Sequence, residues 1–412
     1  MNNDYNFQVL NYQSIDSIYS NKDILKYPYN NLYLNAFYNK SINKTARYNI
    51  SYNLVGTFSN SVSTEHFIFD KLSLPESQFN KNILELNHNL STRYGFEKGK
   101  WKFDGGLNFK LDQIRGDFVR FNQNLSDTTL YVSKNYFRIL PSATIEYTIN
   151  DYSALKLSLA QTSESPFLNQ LCDFINKQDI YKWKSGNSAL KIVDYYSAYL
   201  GYLLEKEKVN ASFEYFFNYT NNESEYLDIP ITSLIYLNRP ENIATKAETG
   251  IDFSFLFQPN NNLNFQLSSS IFHTYFDLNK LAKIAQESNL QIPESSKRDF
   301  GYYVKFSADY KLKTFYSSFY TTYYAKELTF EGYNNAYLNS SLSIGNRFFN
   351  NRLAVSLSLR NFFTDLFKHG SYSNNLGIIN DTRSYSSRYK MLFNVSLQYK
   401  FNQGDRGTKD LQ

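Results

Sequence analysis

Hydrophobic and polar residues alternate one by one along most of this chain. The pattern is clear near the C-terminus, where six hydrophobic or aromatic residues occupy alternate positions: Met391, Phe393, Val395, Leu397, Tyr399 and Phe401. Polar residues such as Asn394, Ser396 and Gln398 lie between them. Successive side chains of a β-strand point to opposite faces, so this period of two predicts a strand with one apolar and one mostly polar face.

The same alternation predicts roughly sixteen strands along the chain, with a weak first strand over residues 4–12. Short turns are predicted where Gly, Asn, Pro or consecutive charged residues interrupt the pattern, and longer connections are predicted between them. The predicted turns are Glu97–Lys100, Asn150–Tyr152, Glu205–Lys208 and Pro259–Asn262. The predicted long loops cover residues 59–80, 113–135, 161–194, 220–245 and 278–296, and the last of these has a helix-like pattern.

Short turns that alternate with long loops are typical of transmembrane β-barrels, which have short periplasmic turns and long extracellular loops. The fold class predicted is therefore all-β, an antiparallel transmembrane β-barrel. A soluble β-sandwich also gives alternating strands, but we expect it to have short loops at both ends of its strands.

Composition favours a wall between lipid and water over a soluble core. The 412 residues include 37 Tyr and 35 Phe, yet the mean hydropathy is -0.50. Aromatic-rich strands in a polar chain suit an apolar outside and a hydrated inside. The formal net charge of +5 comes from 43 basic and 38 acidic residues, which gives no case for binding nucleic acid. No apolar run approaches the roughly 18 residues that a membrane helix needs.

The N-terminal residues, MNNDYNFQVLNY, lack the basic and apolar regions of a signal peptide. An exported protein needs such a signal, so we expect the natural N-terminus to lie upstream of Met1.

Several motifs occur in a fixed order from the middle of the chain towards its C-terminus. They are LPSATIEY at 140–147, Ser165-Pro166, GNSALK at 186–191, Gly250-Ile251-Asp252 and LRNFF at 359–363. With this order the chain resembles the C-terminal barrel part of TonB-dependent outer-membrane receptors, in the "outer membrane protein beta-barrel" group. The chain departs from the family pattern in three places, where the family has Arg, Pro and Pro-Glu. These places are Ser165, Ser188 and Ile192-Val193.

The resemblance implies the C-terminal part of a barrel of about 22 strands that is normally filled by a plug domain. Residues 1–401 are accordingly expected to form the barrel part, without the plug, and residues 402–412 a polar tail. In this family a short box next to the plug contacts TonB, so contact with the TonB complex is expected only through a plug that these residues lack. Tyr399 and Phe401 are similar to the C-terminal signal that the barrel-assembly machinery reads.

The sequence offers no residues for catalysis, cofactor binding or metal binding. The four histidines, His66, His88, His273 and His369, are scattered, and Cys172 is the single cysteine. No Ser-His-Asp grouping has a spacing that supports hydrolysis. Charged residues on the polar faces are expected to hydrate the wall or to set solute preference.

Four aromatic residues in the predicted loop 161–194 are candidates for contact with a solute: Phe167, Phe174, Tyr181 and Trp183. Aromatic rings in that loop are equally suited to pack the loop into the barrel mouth. Aromatic residues near strand ends, such as Trp101 and Tyr147, are expected to form the girdles at the membrane surfaces.

Two functional hypotheses follow. The first is a receptor barrel for TonB-dependent uptake of an unknown large or scarce solute across the outer membrane of a Gram-negative bacterium. The second is a self-contained porin-like barrel for passive diffusion. An enzyme is not expected, no cofactor is implied, and outer-membrane lipid is the expected surrounding.

Overall fold

A computed structural model describes most of the chain. The described residues are 19–26, 29–69, 72–73, 77–122, 128–177, 179, 181–232, 234–288, 290, 294–362, 370–375, 378–383 and 391–401. The predicted strand 4–12 and the predicted tail 402–412 lie outside these residues. No helix within them is both long enough and apolar enough to cross a membrane.

The described residues are almost entirely β-strand. The elements of the first half are β1 Tyr19–Lys26, β2 Tyr29–Ser41, β3 Ala46–Phe69, β4 Leu72–Ser73, β5 Ser77–Lys98, β6 Trp101–Asn122, β7 Thr128–Asn150, β8 Ser153–Glu164, α1 Leu168–Leu171, β9 Lys182–Lys184, β10 Val193–Lys206 and β11 Val209–Pro230. Those of the second half are β12 Tyr236–Asn260, β13 Leu263–Asp277, α2 Asn279–Glu287, β14 Ser296–Leu312, β15 Phe315–Tyr324, β16 Glu327–Leu328, β17 Gly332–Asn334, β18 Tyr337–Phe348, β19 Leu353–Arg360, β20 Gly370–Asn375, β21 Ile378–Arg383 and β22 Leu392–Tyr399.

The long strands form one antiparallel meander from β2 to β22, in which each long strand pairs with the next along the chain. β1 and β2 lie along the same edge of β3 in one continuous register. The main sheet has 18 strands, of which β4 and β9 contain only 2 and 3 residues, and the remaining sixteen agree with the predicted number. β16, β17, β20 and β21 form a separate four-stranded sheet.

The predicted short turns are confirmed. Only Gly99 and Lys100 separate β5 from β6, and pairs of residues also join β7 to β8, β10 to β11, β12 to β13 and β14 to β15. Gly99 has a φ of 59°, in the left-handed region that glycine adopts without a steric penalty. All these turns lie at one end of the sheet, as the barrel pattern predicts.

Three predicted long loops, 59–80, 113–135 and 220–245, are wrong as loops, because the strands on both sides continue through most of each one. β6 shows the physical reason. The face that carries Leu107 and Leu111 becomes polar at Gln113, while the opposite face turns apolar at Ile114 and Phe118. Apolar and polar residues still alternate beyond Gln113, but they exchange faces. The exchange looks like the end of a strand in the sequence, although β6 continues to Asn122.

Cross-strand pairing places like residues together. Trp101 pairs with Tyr147, while Lys102, one position on, pairs with Glu146. The apolar sets of neighbouring strands therefore share one face of the sheet, which we call the outer face, and the polar sets share the inner face.

Two connections at the end opposite the short turns pack on the inner face. The segment 165–192, which we call the β8–β10 segment, contains α1 and β9. The segment 278–295, which we call the β13–β14 segment, contains α2. These two segments account for the predicted loop 161–194 and the predicted helix-like loop 278–296, which are both confirmed as connections.

Candidate functional site

The β8–β10 segment is docked on the inner face through the side chains of α1. Leu168 and Leu171 are buried in a cluster with Ile114 and Phe118 of β6, which we call the α1 cluster. Gly116 leaves room for this contact, because a Cβ at that position would lie 2.8 Å from Cδ2 of Leu168. α1 therefore packs against the apolar part of the inner face of β6, at the end opposite the short turns.

A buried ion pair lies next to the contact between α1 and β6. The Arg138 guanidinium of β7 pairs with Asp112 Oδ2 of β6, and the two side chains are only 6% and 3% exposed. Ser165 Oγ, at the start of the β8–β10 segment, donates to the same carboxylate oxygen, and Lys110 Nζ lies 3.7 Å from it. Among the described residues, Asp112 Oδ1 and the Nε and Nη1 groups of Arg138 have no hydrogen-bond partner. The Asp112 carboxylate therefore binds both Arg138 of the barrel wall and Ser165 of the β8–β10 segment.

The far end of the segment is anchored on β12. β9 pairs in parallel with residues 236–238 of that strand. Asn187 is buried, and its Nδ2 donates to Pro240 O at 3.1 Å and to Glu241 Oε2 at 2.7 Å. The segment therefore spans the inner face from β6 to β12, and Asn187 of the GNSALK motif is its second polar anchor.

At Gly186 the backbone of the β8–β10 segment lies directly against the backbone of Cys172 and Gln170, which leaves no room for a side chain. Its N–H donates to Cys172 O at 2.7 Å, and a Cβ would lie 2.5 Å from Cys172 O and 2.7 Å from Gln170 O. The obstructing atoms belong to the backbone, so they cannot move aside as a flexible side chain would.

We expect Gly186→Ala to lower the free energy of unfolding by about 1–3 kcal/mol, because the new methyl group overpacks a backbone crossing. Urea unfolding of the purified protein in lipid vesicles measures this cost. Gly201→Ala is the matched control, since the nearest atom to its Cβ is 3.6 Å away. Equal stability of the two variants would show that the crossing is not as close as described.

The departures from the family motif have their own contacts. Ser165, at the family's Arg position, binds Asp112 as described above. Ser188, at a family Pro position, donates its backbone N–H to Asp173 Oδ1 at 2.7 Å, a bond that proline cannot make.

The four loop aromatics predicted to contact a solute lie in different surroundings. Phe174 packs against the α1 cluster, whereas Phe167 and Tyr181 are 60% and 57% exposed. Trp183, on β9, is half-buried beneath Lys177, whose Nζ lies 4.0 Å from the ring centroid. Solute contact by these residues stays a prediction.

The β13–β14 segment is held by a second buried cluster. Leu278, Leu281 and Ala285 pack against Ala244 and Phe276 of the inner face. Lys280 Nζ donates to Asn222 Oδ1 at 2.7 Å, and burial lowers the pKa of this ammonium. Two connections therefore cover parts of the inner face at the end opposite the short turns.

Cys172 is buried in the α1 cluster, and burial raises the pKa of its thiol, which disfavours the thiolate. Within the described part of the chain, no three His, Cys, Asp or Glu side chains are grouped closely enough to hold a metal ion.

Asp112 and Arg138, the most buried ion pair among the described residues, were not predicted from the sequence as a functional contact. Asp112 stands at the last position before the predicted loop 113–135, and Arg138 lies near the start of the following strand. Apolar and polar residues continue to alternate through residues 113–121, with the two faces exchanged. This alternation is the signal that could have indicated a continuing strand.

The family model that matches the chain is the outer membrane protein beta-barrel family, over residues 1–399. The chain belongs to this family. The protein is an antiparallel transmembrane β-barrel of the Gram-negative outer membrane, as the pattern of strands, short turns and long loops predicts. The outer face of the sheet is its lipid-facing side, and the inner face lines its lumen.

Solved receptor structures share the barrel fold. The ferric yersiniabactin uptake receptor FyuA from Yersinia pestis aligns with a TM-score of 0.61 and 10% identity, over 94% of this chain and 56% of that one. The unliganded ferric citrate transporter FecA aligns with a TM-score of 0.59 and 10% identity, over the same shares of each chain. The FrpB iron transporter from Neisseria meningitidis aligns with a TM-score of 0.51 and 11% identity, over 93% of this chain and 63% of that one.

These likenesses concern the fold, and the barrel chain spans just over half the length of FyuA and FecA. No curated protein matches it. The three neighbours are named for uptake or transport, and none for catalysis.

Aromatic pairs mark the lipid-facing belt of the barrel. Next to the short turns, the Trp101 and Tyr147 rings lie 4.7 Å apart between centroids, and those of Tyr310 and Phe315 lie 6.2 Å apart. At the end of β22, the Tyr399 and Phe401 rings meet edge to face at 4.7 Å. Their reading by the barrel-assembly machinery stays a prediction.

Proposed function

We propose that this chain is the barrel part of a TonB-dependent receptor for uptake of a large or scarce solute. The observation that carries the proposal is the match of residues 1–399 to the barrel family, together with alignment to just over half of FyuA and FecA. In this proposal the plug, through which the TonB complex acts, belongs to a segment outside these 412 residues.

The inner face suits a substrate path more than a catalytic centre. It carries charges of both signs in close pairs, such as Arg93 with Asp104 at 3.2 Å and Lys246 with Glu248 at 3.2 Å. The two docked segments narrow the lumen at the proposed extracellular end, where Phe167 and Tyr181 are exposed to an arriving solute.

The test compares two deletion strains of the source bacterium, one lacking this coding region and one lacking TonB. Uptake of labelled ferric chelates, cobalamin and oligosaccharides is measured in both. We expect both deletions to abolish uptake of the same solute, because transport through a plugged barrel needs energy from the inner membrane. A plug-coding sequence upstream of the Met1 codon is expected in the same locus.

A self-contained diffusion barrel is the second candidate, favoured by the long, regular wall of sixteen strands. A solute that needs this coding region for uptake, and enters equally well without TonB, would establish this candidate and contradict the receptor proposal.

A further inference from the structure

The outer face of the barrel carries an open groove at the end opposite the short turns. The groove has a volume of about 460 Å³ and is lined mainly by outer-face side chains of β2, β3, β5, β6 and β7. We call it the outer-face groove. One row of polar side chains crosses it, because each member pairs across the sheet with the next: Asn60, Asn82, Asp117 and Tyr131.

Arg115 belongs to a second row, which adjoins the first on the side of the lipid-facing belt. It pairs with Leu84 of β5, which in turn pairs with Phe58 of β3. From Leu111 towards the short turns the outer face of β6 is apolar, and only Gln113 separates this apolar stretch from Arg115 on the same face. The groove therefore has one side that adjoins the belt and one polar side that points away from it.

The height of Arg115 corresponds to that of the lipid headgroups. The apolar belt of an outer-membrane barrel is about 25 Å tall and its strands are tilted by about 40°, so about ten residues of a strand cross it. Leu111 is ten positions after Trp101, which lies in the belt next to the short turns. Arg115 lies about 10 Å further along the membrane normal, among the headgroups of the outer leaflet.

The side chains of the groove are accessible from the membrane side. Arg115, Asn82 and Asp117 are exposed, and Tyr131 is 62% exposed. They lie on the outside of the barrel wall, so a plug or any other occupant of the lumen does not cover them.

These side chains match a phosphorylated sugar. A guanidinium binds phosphate oxygens through charge-assisted hydrogen bonds. The amides of Asn60 and Asn82 each donate and accept hydrogen bonds, as do the hydroxyl and amide groups of an amino sugar, and Asp117 accepts from a hydroxyl. The polar row spans three strand spacings, or about 14 Å, which suits a disaccharide better than the small headgroup of a phospholipid.

The outer leaflet of a Gram-negative outer membrane consists largely of a glycolipid whose headgroup is a phosphorylated glucosamine disaccharide. We propose that the outer-face groove binds this headgroup, with a phosphate on Arg115 and the sugar rings along the polar row. The acyl chains then lie on the apolar outer face towards Leu111. The inference goes beyond the uptake function, because it applies to a receptor and to a diffusion barrel alike.

The experiment titrates the purified full chain in detergent micelles with lipids and counts the bound molecules by native mass spectrometry. The probes are lipid A, which is the membrane anchor of the glycolipid, dephosphorylated lipid A, and phosphatidylglycerol, which has a phosphate but no sugar. We expect lipid A to bind more tightly than either of the others. Arg115→Gln is expected to weaken lipid A binding about tenfold, which is the effect of losing one charge-assisted hydrogen bond.

A second variant tests the contacts with the sugar. We expect Asn82→Ala to weaken the binding of lipid A about two- to tenfold, as the loss of one neutral hydrogen bond does. The binding of phosphatidylglycerol is expected to stay unchanged in this variant, because this lipid has no sugar to contact the polar row.

The matched control is Arg298→Gln. Arg298 is an exposed arginine on the outer face of β14 at the same end of the barrel, where it pairs with Tyr275 of β13. It lies outside the outer-face groove, so its replacement is expected to leave lipid A binding unchanged. Retained heat-modifiable mobility on gels verifies that each variant is folded.

The proposal is overturned if phosphatidylglycerol or dephosphorylated lipid A binds as tightly as lipid A, because the groove then does not recognise a phosphorylated sugar. It is also overturned if Arg115→Gln and Arg298→Gln weaken lipid A binding equally, which is the result expected of a general attraction between basic residues and an anionic lipid. Unchanged lipid A binding by Asn82→Ala would contradict the placement of the sugar on the polar row.

Discussion

Replacing Arg138 with methionine is expected to lower the free energy of unfolding by about 3–5 kcal/mol, because it leaves Asp112 as a buried charge without its main partner. Asp112 is 3% exposed and Arg138 6% exposed, so water cannot replace the lost contact. Lys110 Nζ remains 3.7 Å from the carboxylate and the Ser165 hydroxyl still donates to it, but that ammonium lies beyond hydrogen-bond distance and a hydroxyl carries no positive charge. Urea unfolding of the purified protein in lipid vesicles measures the difference.

The double variant Asp112→Leu/Arg138→Met distinguishes the cost of a buried unpaired charge from the contribution of the ion pair to the free energy of unfolding. Two apolar side chains bring no buried charge, so we expect the double variant to be more stable than the single one. Lys283→Met is the control, since Lys283 pairs with Glu287 at 3.8 Å on an exposed face of α2 and such pairs contribute about 0–1 kcal/mol. A cost for Arg138→Met no larger than that of Lys283→Met would contradict the buried pair.

The ion pair also bears on the position of the β8–β10 segment. Ser165 Oγ donates to the carboxylate that Arg138 holds in place. Loss of the guanidinium frees Asp112 to turn away, and the start of the segment then loses its polar anchor. Leu168 and Leu171 still bind through the apolar cluster, so a shift at Ser165 larger than one at α1 is the expected pattern.

The strand pattern was predictable because it is local. Alternation over Trp101 to Leu111 depends only on which side chains neighbour each other in sequence, and the two-residue turn at Gly99 depends on a single residue that accepts positive φ. The strand ends were not predictable in the same way. Where β6 rises above the lipid, water faces its outer side and α1 covers its inner side, so the polarity of both faces reverses at Gln113 and Ile114.

The docked segments depend on contacts between residues distant in sequence. Ser165 meets Asp112 across 53 positions, and Asn187 meets Glu241 across 54. No periodicity in residues 165–192 encodes either partner, although the glycine of the GNSALK motif does signal a close approach. Resemblance to the family therefore identified a motif whose contacts only the three-dimensional structure explains.

If the outer face contacts lipid, arginine should destabilise the barrel more on that face than on the inner face. Leu107 lies on the outer face of β6, six positions after Trp101 and four before Leu111, and Asn108 lies next to it on the inner face. We expect Leu107→Arg to destabilise the barrel by about 2–4 kcal/mol, because a guanidinium near the bilayer midplane must leave water. Asn108→Arg places the same side chain in the hydrated lumen, and we expect it to cost well under half as much.

Unfolding of both variants in vesicles of one lipid thickness gives the comparison, with the same denaturant and the same wild-type reference. The native sequence already contains Arg115 on the outer face of β6, four positions beyond Leu111, where the strand has passed the apolar belt. The cost of arginine on this face is therefore expected to fall with distance from Leu107 along the strand. Equal costs at Leu107 and Asn108 would contradict the assignment of lipid and lumen, and a larger cost at Asn108 would reverse it. The receptor proposal depends on this assignment.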